Sequence, residues 1–74
     1  MKKLIITIGS NNSSVAENLL KDFDLEKENS TTYSFEYDND DEDEVEAANE
    51  FEEEISALLA QNKIAFQITR EFVD

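Results

Sequence analysis

Glu36 to Gln61 reads EYDNDDEDEVEAANEFEEEISALLAQ, and two patterns are superimposed in it. Val45, Ala48, Phe51, Ile55, Leu58 and Leu59 recur at spacings of three, four and seven, the single apolar stripe of an amphipathic helix. This spacing predicts a long helix from Asn39 to about Gln61. Asp40 to Glu44 stand at the end where the macrodipole favours negative charge, and Asn62-Lys63 forms the stop. The second pattern is charge. Glu36 to Glu54 holds twelve of the 19 acidic residues and no lysine or arginine. Outside it seven acids face six basic residues, so the net charge of −13 is a local property.

Upstream, Thr32 to Asp38 alternates. Tyr33, Phe35 and Tyr37 face one way, and Thr32, Ser34, Glu36 and Asp38 the other, as in a half-buried strand. Downstream, Ile64 to Val73 reads as a closing strand, with Ile64, Phe66, Ile68 and Phe72 opposite Ala65, Gln67, Thr69 and Glu71. Lys2 to Ile8 is a β-branched first strand with Leu4, Ile6 and Ile8 on one face. Gly9 to Ser13 is a turn, and Ser14-Val-Ala-Glu17 has the form of a capping box. The helix after it places Val15, Ala16, Leu19, Leu20 and Phe23 on one side and ends near Leu25 or Glu26; Lys27 to Thr31 is a loop. The expectation is an α+β fold of one domain, residues 1–74. Its order is β-α-β-α-β, a two-layer domain with a three-stranded sheet and two helices packed on one face. A ferredoxin-like unit lacking one strand and two crossover βαβ units sharing a strand both fit this order.

Composition narrows the function classes. The chain has no Cys and no His, so it offers no disulfide, no thiolate or imidazole metal ligand and no Cys- or His-based nucleophile pair. No stretch approaches the ~20 apolar residues of a membrane span. The apolar run of MKKLIITIGS is interrupted at Thr7 and ended at Gly9, which suits a strand rather than a signal peptide. So anionic a chain is repelled by anionic lipid and by nucleic acid, which argues against direct binding to either. A cytoplasmic location is expected.

At ~100° per residue, Glu42, Asp43, Glu46, Glu50, Glu53 and Glu54 fall within roughly a third of the helix circumference opposite the apolar stripe. Glu44 and Glu52 land on or beside the stripe. Glu42, Glu46, Glu50 and Glu54 form an unbroken i, i+4 row, and like charges so spaced destabilise a helix by about 0.2–0.5 kcal/mol per pair. Residues 42 to 54 span about 18 Å of helix, a length over which one DNA strand carries about five phosphates. Six carboxylates on one face match that linear density, and Asp38, Asp40 and Asp41 extend the track.

In size, charge and layout the chain resembles the small phage-encoded DNA-mimic proteins: the anti-restriction and anti-CRISPR inhibitors and the uracil-DNA glycosylase inhibitor. The likeness lies in composition and one acidic face, with no motif matched residue by residue. It implies a protein that occupies the basic nucleic-acid channel of an enzyme and blocks it, in the host cytoplasm if the chain is phage-encoded. Glu42, Asp43, Glu46, Glu50, Glu53 and Glu54 would stand in for phosphates, with Asp38, Asp40 and Asp41 auxiliary.

Other constellations carry less. Asp38-Asn-Asp40-Asp-Glu42 resembles the start of an EF-hand loop, but the glycine position holds Asp43 and the twelfth holds Asn49. Ile8-Gly9-Ser10-Asn11 resembles the opening of the pterin pyrophosphokinases in a chain about half as long as such an enzyme needs, and reads as a turn. Ser10, Ser13 and Ser14 have no histidine partner. Carboxylates on a convex helix lack the concave, differentiated site that acid–base chemistry requires, so no enzymatic activity, cofactor or metal is expected. Tyr33, Phe35 and Tyr37 suit core packing better than base stacking, because the charge repels a phosphate backbone. The competing expectation is a small acidic adaptor that binds a protein through the open sheet face or an edge strand, its acids serving solubility.

Overall fold

In the computed structural model, which describes residues 1–73, the first alternating stretch becomes strand β1 (Lys2–Ile8) and buries Leu4, Ile6 and Ile8. One 3-10 turn (Ser10–Asn12) leads into helix α1 (Ser13–Leu20). Strands β2 (Glu26–Asn29) and β3 (Thr32–Tyr37), helix α2 (Glu42–Gln61) and strand β4 (Phe66–Phe72) follow. The sheet order is β2-β3-β1-β4, every neighbouring pair antiparallel. This is the split βαβ arrangement of ferredoxin-like topologies, with its full complement of strands.

The expected three-stranded β-α-β-α-β order is therefore corrected to four strands in the order β-α-β-β-α-β. The strand that periodicity misses, β2, begins at Glu26, where the first helix is expected to end, and runs into the expected loop of Lys27 to Thr31. Its sequence, Glu-Lys-Glu-Asn, has no apolar side chain and is exposed throughout, so nothing alternates. It is held instead by pairing with β3, with a register shift between Lys27 and Asn29. The Asn29 side chain accepts from the Thr31 backbone N–H at 2.9 Å and the Thr31 hydroxyl at 3.1 Å, closing the turn between the two strands.

Cross-strand partners define the two faces. Leu4 lies between Phe35 and Arg70, and Ile6 between Tyr33 and Ile68; these side chains sit under the helices. Ile55 and Leu59 of α2 and Ala16 and Leu20 of α1 complete one core cluster, while Leu4, Tyr37 and Ala48 form a second. Phe51 bridges them, edge-on to Phe23 and to Phe35. On the opposite, open face the central row is Ser34–Ile5–Thr69, flanked by Glu36–Lys3–Glu71 and Thr32–Thr7–Gln67. Ile5 is the one apolar side chain among these nine positions. Lys3 pairs with Glu28 of β2 across this face, and Glu28 also accepts from the Ser34 hydroxyl at 3.1 Å. These two hydrogen bonds, first from Lys3 and then from Ser34, hold the Glu28 carboxyl below its usual range.

The Tyr33 hydroxyl is buried and has no hydrogen-bond partner among the described residues. Removing an unpaired buried hydroxyl relieves its desolvation penalty, so Tyr33→Phe is expected to stabilise the fold by about 1 kcal/mol. Chemical denaturation checks this, and a loss of stability would mean that the hydroxyl is hydrogen-bonded in solution.

Helix α1 starts and stops differently from expectation, and α2 starts later than expected but ends at Gln61 as its pattern predicts. α1 begins at Ser13 with Asn12 at the N-cap and no side-chain cap bond, so the Ser14–Glu17 capping box does not form. Glu17 instead pairs with Lys27 at 3.1 Å. The helix ends at Leu20, well before Leu25; Phe23 reaches the core from the turn beyond, and Val15 is exposed. α2 begins at Glu42 rather than Asn39 because Asp41 is the N-cap: its backbone is extended and its carboxylate accepts from the Asp43 N–H at 3.0 Å.

The C-terminus of α2 is a Schellman closure. The Lys63 N–H donates to the Ala60 carbonyl at 3.1 Å and the Ile64 N–H to the Leu59 carbonyl at 3.0 Å, which turns Ile64 into the core. Lys63 carries the turn at φ 57°, in the left-handed region that glycine occupies without strain. Ile64 is consequently buried ahead of β4, and the closing strand starts at Phe66, two residues later than expected. Lys63→Gly is expected to raise stability by about 0.5–1 kcal/mol, since relieved strain outweighs the lost cation at the helix end. A thermal melt that falls would contradict this account of the turn.

Candidate functional site

The face of α2 turned away from the core is where the charge lies. Its inward stripe is fixed by Ala48, Ile55 and Leu59, all fully buried, with Val45, Phe51 and Leu58 partly so. That anchoring puts Glu42, Asp43, Glu46, Glu50, Glu53 and Glu54 outward, and all six are exposed. The structure thus brings the six helical residues of the sequence reading together on one surface. The i, i+4 row contains three like-charged pairs, together costing about 0.6–1.5 kcal/mol.

The three auxiliary aspartates are placed differently. Asp40 is exposed, while Asp38 and Asp41 build the entry to the helix. Asp38 accepts from the Asp40 N–H at 3.0 Å, and its own N–H donates to Glu44 at 3.3 Å. Asp41 is the cap. Their charge therefore has a local structural cause, which the charge at Glu46, Glu50, Glu53 and Glu54 lacks.

Ion pairing sharpens this division. Among the described residues the salt bridges are Lys3–Glu28, Lys27–Glu17 and Arg70–Glu52, and none uses any of the nine predicted residues. Arg70 is the side chain that reading the sequence overlooked. It occupies an inward position of β4, between Ile68 and Phe72, and reaches up to α2. There it donates to Asn49 at 2.9 Å, Glu52 at 3.2 Å and the Tyr37 hydroxyl at 3.3 Å. Burial opposes its charge, but the bonds to Tyr37 and Glu52 outweigh that and raise its pKa. A charged residue at an inward strand position was the available signal, because a half-buried guanidinium needs partners. Arg70 accounts for Glu52, the acid that fell beside the apolar stripe, and so leaves the outward six without a structural counter-ion.

Away from α2, a shallow depression of about 280 Å³ lies between the end of β1 and the start of β4, lined by Thr7, Ile8, Gly9, Ala65, Phe66 and Gln67. No ionisable side chain lines it. Among the described residues no group of three or more Asp or Glu side chains is placed to hold a metal ion, and no helix is long and apolar enough to cross a membrane. No protein-family model, no curated protein and no solved structure matches the chain.

Proposed function

We propose that this protein is a nucleic-acid-mimicking inhibitor whose α2 carboxylates occupy the basic nucleic-acid groove of a nuclease or other nucleic-acid enzyme, in the manner of anti-CRISPR or anti-restriction proteins. The observation that carries the reading is the exposed, unpaired face formed by Glu42, Asp43, Glu46, Glu50, Glu53 and Glu54. Repulsion within that face weakens the fold. Three cations elsewhere are engaged with acids, yet none is supplied here. A complementary basic surface would relieve the repulsion on binding, and the concentrated field would speed encounter. The proposal includes a phage origin and action in the host cytoplasm. The open sheet face supports the adaptor reading less, since Ile5 is its one apolar side chain at the paired positions and Lys3 is already matched by Glu28.

Capture from a bacterial lysate at low salt, followed by elution with duplex DNA, tests the reading. Mimicry predicts that the captured proteins bind nucleic acid, that duplex DNA releases them, and that affinity falls steeply with ionic strength. A partner retained equally with and without DNA would overturn it.

A further inference from the structure

The two edges of the sheet are built differently. β2 is four residues long, charged, and interrupted by the register shift between Lys27 and Asn29, features that discourage further pairing. β4 is seven residues long and keeps unbroken register with β1 from Phe66 to Phe72. Among the described residues no strand pairs with its outer side. It contains no proline, and its two charges, Arg70 and Glu71, cancel. It ends in Phe72, 74% exposed, with the Lys2 ammonium 4.7 Å from the ring centroid. Its one guard is Arg70, an inward charge already engaged by Asn49, Glu52 and Tyr37; the unbroken edge otherwise presents free backbone donors and acceptors.

The flank of α2 above β4 decides what chemistry would pair there. Arg70 reaches Asn49 and Glu52, so that side of the helix overlooks the strand. At ~100° per residue Glu42, Glu46 and Glu53 follow next around the helix from Asn49, whereas Asp43, Glu50 and Glu54 lie farther round. A fifth strand would lie about 4.8 Å outside β4, and its side chains on the helix-bearing face would project toward these carboxylates.

We propose that the outer edge of β4 accepts an extended basic segment of a partner protein as a fifth strand, its backbone pairing with Phe66–Phe72 and its lysine or arginine side chains meeting Glu42, Glu46 and Glu53. The inference rests on the mimicry reading for the charge of the partner, but not for the place of contact. A second copy of the chain is the less suitable occupant, because pairing two chains of charge −13 sets acidic helices side by side. Phe72 supplies an aromatic contact at the end of the added strand.

The probe is a short capped peptide alternating lysine with valine, compared with an equally charged lysine–glycine peptide of low strand propensity. Backbone NMR of the intact chain is expected to show shift changes and slowed amide exchange along β4. The lysine–valine peptide should bind at least about tenfold more tightly than its lysine–glycine counterpart. Introducing Gln67→Lys and Thr69→Lys, both exposed on the open face of β4, should weaken that binding by repulsion. Shift changes confined to α2 and equal for the two peptides would overturn the inference, as would changes along β2. Concentration-dependent changes along β4 without peptide would identify a second copy as the occupant and also overturn it. The two readings fail separately. Loss of the β4 response with DNA competition intact removes the edge inference alone, and a β4 response without DNA competition removes the mimicry reading alone.

Discussion

Replacing Glu46, Glu50 and Glu53 together by lysine is expected to stabilise the fold by about 1–3 kcal/mol while abolishing binding to a basic partner. The stability arithmetic is local. On the helix surface the pairs 42–46, 43–46 and 50–54 turn from repulsive to attractive, while 46–50 and 50–53 remain like-charged. Glutamate and lysine have similar helix propensities, so the backbone is indifferent to the exchange. All three side chains are exposed, and none makes a hydrogen bond or ion pair among the described residues, so no native contact is lost. Globally the three reversals take the net charge from −13 to −7. Binding should respond in the opposite sense. Each reversal places a cation against a cationic groove, and like-charge juxtaposition across an interface costs several kcal/mol. Urea denaturation and a binding titration on the same samples separate the two effects. A variant that is more stable and still binds its partner unchanged would refute the mimicry proposal while upholding the account of helix repulsion.

How far the sequence revealed this arrangement depended on how each element is held. β1, β3 and α2 are amphipathic, and their inward residues alternate or recur as periodicity demands. β2 is held by backbone pairing and by Asn29, so its side chains carry no apolar pattern to read. The ends of α1 went astray for a related reason. Ser14 and Glu17 have the capping spacing, but the chain is already helical at Ser13, and Glu17 finds Lys27 on β2. That contact depends on β2, whose sequence carries no apolar pattern. The six outward acids of α2 were legible because the stripe opposite them is unambiguous. The relation between Arg70 and Glu52 was not, because it joins residues whose proximity depends on the stacking of α2 over β4. The structural duties of Asp38 and Asp41 became apparent with the turn geometry, which divides the acidic stretch at about Glu44 into a capped entry and an exposed face.

Ile55→Ala is expected to leave the chain largely unfolded at low ionic strength and to let it fold in moderate NaCl. Ile55 is fully buried within the main cluster, and truncating such a residue costs about 2–5 kcal/mol. A single core of this size rarely supplies more than about 3–5 kcal/mol of net stability, so the substitution removes most or all of it. Self-repulsion then decides the outcome. At about 0.01 M salt the Debye length is about 30 Å, comparable to the 36 × 23 × 18 Å extents of the molecule, so every carboxylate feels the others. At about 0.15 M it is about 8 Å, and only near neighbours, such as those along α2 and at its entry, still repel. Sodium chloride, rather than sulfate, is the appropriate salt, because sulfate also strengthens apolar burial. Far-ultraviolet circular dichroism across a salt series gives the measurement. In the background carrying Glu46→Lys, Glu50→Lys and Glu53→Lys, Ile55→Ala should fold at low salt, since the repulsion that screening removes is already relieved by substitution. A salt response unchanged by those three reversals would place the destabilising charge elsewhere in the chain. The cost of the acidic face would then no longer argue that the face is retained for binding.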